Sequence, residues 1–219
     1  MNNFYNTDNF FWRWFGKLAD VMVLSILWLL CCLPVVTIAP SCIALYDAIA
    51  RCIHGPDEHP YKRFFRTFKA ELLRGIGITV LWAAIGFVLM LGYSFLYQMG
   101  ETSKFAAIYS IVYLASMLIP LGIVAWLIPI ESRFSHSFLS LHKTAATFSI
   151  VHLPTTAVLL GLLIVAVILL MFFPVLAIVL PGILVTVQCW FVEKVFKKYI
   201  PEEPAEGETQ EENTDDTAV

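Results

Sequence analysis

Long uncharged apolar runs alternate along this chain with short stretches in which aromatic and basic residues mix. Residues 75–97 and 106–130 contain no charged side chain, and neither does 155–190. Residues 18–36 contain only Asp20, near their edge. A bilayer core of about 30 Å is crossed by about 20 apolar residues in a helix. Backbone polar groups in lipid must bond within their own segment, which dictates helices. The runs lack the period-two alternation of outer-membrane barrel strands. The pattern therefore predicts an all-α, polytopic transmembrane helical bundle with five or six crossings. Spans are expected near 18–36, 41–53 (short), 75–99, 106–130, 155–173 and 174–192.

Punctuation sets the boundaries. Pro34 and Pro40 bracket 35–39, where the first helix should break. Ser41 is placed to cap a new helix, 41–53. Pro120 and Pro129 predict a kink near Ile119 and an end near Ile128. A single helix over 155–190 would be about 54 Å long, too long for one crossing. The turn is expected near 172–174, with Pro181-Gly182 as the alternative. Gly75, Thr79 and Ala83 repeat at four residues, a small-residue stripe that admits a close helix neighbour.

Between the spans, 61–74 and 131–150 read as amphipathic interfacial helices. In 61–74 the residues Tyr61, Phe64, Phe65, Phe68 and Leu72 keep helical spacing, while most of the cations take other faces. Residues 1–17 form an aromatic N-terminal segment, expected to lie in the headgroup region. Three hexapeptides share a form: 13–18, 63–68 and 133–138 each have arginine, then an aromatic ring, then an apolar residue four places on. Arg13, Trp14, Arg63, Phe64, Phe68, Arg133, Phe134 and Phe138 are thus expected at the membrane interface. Each hexapeptide stands before a pair of apolar segments, the arrangement of parallel repeats.

Charge refines this picture. Eight of the 17 acids lie beyond Pro201, leaving nine against all 14 Lys and Arg in the body. A basic body suits anionic headgroups on the cytoplasmic side. The acidic segment 200–219 is expected to be disordered. Lys194, Lys197 and Lys198 place the C-terminus in the cytoplasm by the positive-inside rule, and counting back places 56–74 and 131–153 there too. If 18–53 crosses once, the N-terminus lies outside; if it forms a hairpin, the N-terminus lies inside with Arg13 and Lys17, which is the expectation taken. Mean hydropathy is +0.77, which excludes an ordinary soluble domain. The five cysteines have no framework spacing and read as buried apolar residues.

Candidate chemistry is sparse. No HExxH, GxSxG, GxxxxGK or CxxC pattern occurs, so neither an enzyme nor a cofactor is expected. His54 and His59 share a loop with Asp57 and Glu58, which reads as a polar loop rather than a metal site, and no nucleic-acid partner is implied. Ionisable residues at membrane depth are the default candidates. Asp47 and Arg51, four apart on one helix, can pair. Pro34, Thr37, Pro40 and Ser41 form either a ligand-holding helix break or a surface turn.

The run Leu33-Pro34-Val35-Val36-Thr37-Ile38, followed by Ser41 and Ala44-Leu45-Tyr46, resembles the YesL family of bacterial membrane proteins. Phe64-Phe65-Arg66-Thr67-Phe68-Lys69, 129–134, His152-Leu153-Pro154 and 194–199 are similar to further blocks of it. The turn after Thr37-Ile38 commonly holds glycine in that family, where this chain has Ala39-Pro40. The resemblance implies a bacterial integral membrane protein of unknown biochemical activity, associated with carbohydrate uptake or polysaccharide utilisation in Gram-positive bacteria. It implies no catalytic residues. The functions in view are an accessory component working with carbohydrate transporter subunits, or a small oligomeric transporter or channel in its own right.

Overall fold

In the computed structural model, which describes residues 10–53, 59–100, 104–134 and 137–196, the apolar runs are helical, and no strand occurs among the described residues. In chain order the helices are α1 (Phe10–Cys31), α2 (Ile38–Ala48), α3 (Pro60–Ala70), α4 (Leu72–Gly100), α5 (Lys104–Ser116), α6 (Leu118–Arg133), α7 (Phe138–Val151), α8 (Leu153–Phe172) and α9 (Leu180–Phe196). A 3-10 turn, Val35–Thr37, leads into α2, and a π turn, Ile49–Ile53, extends it. A second 3-10 segment, Pro174–Ile178, joins α8 to α9.

Helix α2 is the axis of the bundle. It packs against α1, α3, α4, α6 and α9. Ile43, Ala44, Leu45, Tyr46, Ala48 and Ile49 are all buried, and the core continues through Leu24, Phe64, Trp126, Leu159 and Phe196. The outer helices instead turn apolar side chains outward, among them Phe87, Val88, Met90 and Phe95 of α4 and Met171 and Phe172 of α8. Four stretches are long and apolar enough to cross a membrane: Val35–Cys52, Leu72–Gln98, Ile111–Arg133 and Leu153–Phe172. The first is 61% buried within the bundle and the others 11–17%. Lipid is as apolar as a protein core, so an outward-facing belt of this kind is stable only in a bilayer.

Small residues let α2 sit this deep. A Cβ on Gly75 would come 2.6 Å from Pro40 Cδ and 2.8 Å from Pro40 N. One turn on, Thr79 Oγ1 accepts the Ala39 backbone N–H at 3.1 Å. Helices α1 and α9 approach in the same way: a Cβ on Gly182 would come 2.8 Å from Val21 O, and the Gly182 N–H donates to Ser25 Oγ at 3.0 Å.

Several expected boundaries move. Helix α1 runs through Lys17 without a break, so from Phe10 onward the aromatic segment is continuous with the first apolar helix. Helix α2 begins at Ile38, before Pro40. A proline in the first turn sacrifices no intrahelical bond, because that N–H would be unpaired anyway. Ser41 accordingly lies inside the helix, and its hydroxyl donates back to Thr37 O at 2.7 Å instead of capping. The break expected near Ile119 falls at Met117, so Pro120 too occupies a first turn. Pro129 stays inside α6, which continues to Arg133. Arg74 belongs to α4, and Glu131 to α6, not to the interfacial segments.

Candidate functional site

Asp47 is a fixed charge on the buried helix, its side chain 3% exposed. A carboxylate removed from water needs several good donors to remain ionised. The next turn of its own helix supplies one: Arg51 Nε donates to Oδ1 at 2.8 Å. Helix α3 supplies the rest. Arg63 Nε donates to Oδ2 at 2.6 Å, Arg63 Nη2 to Oδ1 at 3.2 Å, and Thr67 Oγ1 to Oδ2 at 2.6 Å. Arg63 and Thr67 share a face because they are four residues apart. The same face carries Phe64, which is fully buried, so one apolar anchor and one bidentate ionic contact seat α3 on α2.

Beside this cluster lies a cavity of about 310 Å³ between α2, α3 and α6. Asp47, Arg63, Arg66, Thr67, Glu71, Glu131 and Ser132 give it polar walls, and Ile43 and Ala70 complete the lining. Arg66 and Ala70 are exposed and mark its rim. Glu131 is the unusual member. Its side chain is 1% exposed and Arg74 Nη1 lies 2.7 Å from Oε1, yet neither carboxylate oxygen accepts a well-directed hydrogen bond. The distance establishes an ion pair. The poor direction leaves hydrogen-bonding capacity unused on both oxygens. Glu71 lies next to Glu131 in the same wall.

A second ionic contact joins the ends of α6 and α9: Arg133 Nε donates to Glu193 Oε1 at 2.9 Å. At the start of α3, the Tyr61 hydroxyl donates to Asp20 of α1. Partial burial of the ring and the adjacent carboxylate push the Tyr61 phenol up to about 12.

Of the residues singled out by sequence, Asp47 and Arg51 belong to this cluster. Pro34, Thr37, Pro40 and Ser41 lie at the opposite end of α2. There Thr37 Oγ1 is 2.6 Å from Cys31 O and 2.7 Å from Pro34 O, and Pro40 rests on Gly75. Hydroxyls and carbonyls of that turn are consumed by the turn itself. The described residues of the expected interfacial set make contacts within the bundle. Phe64 is core, stacked on Phe68. Arg63 and Arg133 hold carboxylates of neighbouring helices. Phe134 meets Phe196 edge-on with centroids 5.5 Å apart, and Phe138 meets the His142 ring at 4.8 Å. Aromatic rings on an amphipathic helix suit a lipid face and a protein face equally well, and these rings all meet protein. Tyr61 and Phe65 are the exposed rings of α3. The side chains of Arg13 and Trp14 lie outside the described residues, as do His54, Asp57 and Glu58.

Sequence reasoning passed over Thr67, Glu71, Arg74 and Glu131. Glu131 left a signal, being the first charge after 25 uncharged positions (106–130). Its partner Arg74, distant in the chain, left none. Among the described residues no group of His, Cys, Asp and Glu has the geometry to hold a metal. The site's chemistry is that of recognition: guanidinium forks, a hydroxyl and carboxylates around a small cavity.

Fold and site together define a helical membrane protein with a buried central helix and its ionic residues gathered at one end. Residues 21–93 match the family described as "Protein of unknown function, DUF624". That segment holds half of α1, all of α2 and α3 and most of α4, hence Asp47, Arg63, Thr67 and Glu71 but not Glu131. No curated protein and no solved structure matches the chain.

Proposed function

We propose that this chain is an accessory component of a bacterial cell membrane, working with carbohydrate transporter subunits rather than moving solute itself. The observation that carries this reading is the state of α2. The helix that would have to line a path through the bundle is sealed by apolar neighbours, and its buried charge is held by Arg51, Arg63 and Thr67. Such a locked ion cluster suits a scaffold. The link to carbohydrate uptake rests on the resemblance to the YesL family.

In this reading α1, α2, α4, α5 with α6, α8 and α9 make six crossings, with both termini in the cytoplasm. The contacts of Asp47 with α3 and of Arg133 with Glu193 support it, since they gather the C-terminal ends of α2, α6 and α9 on one side. The exposed Lys62, Arg66 and Lys69 of α3 then face anionic headgroups of the inner leaflet.

Purification of the tagged chain from native membranes in mild detergent tests the proposal. Recovery of a stoichiometric membrane partner is expected. Recovery of the chain alone or as a homo-oligomer, together with sugar uptake into proteoliposomes, would replace this reading with that of a transporter.

A further inference from the structure

The cavity between α2, α3 and α6 is lined by charges of both signs. Asp47 is paired with Arg51 and Arg63, and the guanidiniums of Arg63 and Arg66 line the cavity with it. Arg66, exposed at the rim, has no ion pair among the described residues. Toward α6, Glu131 adjoins Glu71, which caps the C-terminus of α3, and Arg74 is the guanidinium that meets Glu131. The lining therefore offers a guanidinium at the rim, Arg66, and a pair of adjoining carboxylates, Glu71 and Glu131. The buried Glu131 oxygens also lack directed donors, an expensive omission for a group out of water.

We propose that this cavity binds a ligand carrying an ammonium and a phosphate a few bonds apart, with the ammonium on Glu131 and Glu71 and the phosphate on Arg66. An ammonium brings three N–H donors and a full positive charge to the two carboxylates. A guanidinium fork matches phosphate oxygens. A volume of about 310 Å³ is at the small end for ligand pockets, which fits a group the size of phosphoethanolamine. Two sources have this chemistry: a soluble phosphoethanolamine-type molecule and the headgroup of phosphatidylethanolamine. Phe65, exposed beside Arg66 on α3, gives a lipid's chains an apolar surface to follow. This inference does not depend on the accessory role.

The test uses the full chain in two arms. In nanodiscs of phosphatidylglycerol alone, phosphoethanolamine, ethanolamine and inorganic phosphate are titrated by calorimetry. In detergent with equal phosphatidylethanolamine and phosphatidylglycerol, the retained lipid is read by native mass spectrometry. Expected is saturable binding of phosphoethanolamine at least tenfold tighter than either half-molecule, which identifies a soluble source, or selective retention of phosphatidylethanolamine, which identifies the lipid. Glu131→Gln and Arg66→Gln should each weaken the positive arm at least tenfold, and Lys143→Gln, on exposed α7, should leave it intact. Arg66 is exposed, so its variant reports even if the Glu131 variant does not fold. The proposal is overturned if neither arm is positive. It also fails if inorganic phosphate or phosphatidylglycerol binds equally well, or if binding survives the Arg66 substitution.

Discussion

Arg63 grips Asp47 from a different helix, with Nε 2.6 Å from Oδ2 and Nη2 3.2 Å from Oδ1. This bidentate pair fixes the basic aromatic helix α3 against the buried axis of the bundle. Removing the carboxylate charge by Asp47→Asn takes the Asp47 ion pair from Arg63, 18% exposed, and from Arg51, 37% exposed. Arg51 can turn to water and Arg63 only in part. The expected cost is about 2 kcal/mol, less than the roughly 3–5 kcal/mol of a fully buried broken pair. Thermal unfolding in detergent measures it, and an unchanged Tm would show that the pair does not hold α3.

Gly75 permits α2 to approach α4. Gly75→Ala places a methyl group against the Pro40 ring and backbone and should cost about 1–3 kcal/mol through overpacking. Gly86 has nothing within 4 Å of an added Cβ. There the same substitution should raise stability by about 0.5–1 kcal/mol through helix propensity. Opposite signs for the two variants in one unfolding assay are the expected result.

Trp126 is fully buried, and its indole N–H donates to Thr156 Oγ1 at 2.9 Å, tying α6 to α8. Thr156→Val keeps the shape and deletes the acceptor. About 1 kcal/mol should be lost, within the range for hydrogen bonds between membrane helices. Tryptophan emission should change as the indole loses its partner.

If α8 crosses the bilayer, its two ends lie on opposite faces. Lys143 of α7 and Val175, beyond the end of α8, are both exposed. In a background freed of the five native cysteines, a cysteine at 175 should react with an impermeant maleimide added to intact cells. One at 143 should react only after permeabilisation. Labelling of both from the same side would remove α8 as a crossing.

The Tyr61 phenol is raised from its ordinary 10.0 to about 12, so folding favours its protonated form. The contribution of the Tyr61–Asp20 contact is complete below pH 10 and declines as pH climbs toward about 12. Tyr61 is 37% exposed, so solvent screens much of the effect. Wild type and Tyr61→Phe should differ in Tm at pH 9, and the difference should shrink by pH 12. A constant difference would place the stabilisation in the ring's packing instead.

The candidate site was half legible. Asp47 and Arg51 stand out as charges at membrane depth, and helical spacing alone pairs them. The four-residue stripe through Gly75 and Thr79 announced a close helix neighbour without naming Pro40 and Ala39. Arg63, Phe64 and Phe68 were visible as a basic aromatic face, but a helix has two plausible neighbours at a membrane edge. Glu131 was visible as the first charge after an apolar run, while Arg74 and Glu71 could not be assigned to it from spacing.

The sequence by itself determined the class: uncharged runs of this length must be helices, because lipid offers the backbone no other hydrogen-bond partners. It also determined that these helices are divided by prolines and by basic aromatic segments. Tertiary structure decided which helix is surrounded and which ones face outward, since nearly uniform hydrophobicity leaves every face of a span equally fit for lipid or protein. It also decided which carboxylate each arginine meets. Those pairs join residues up to 60 positions apart, and no local periodicity records a contact made only when helices assemble.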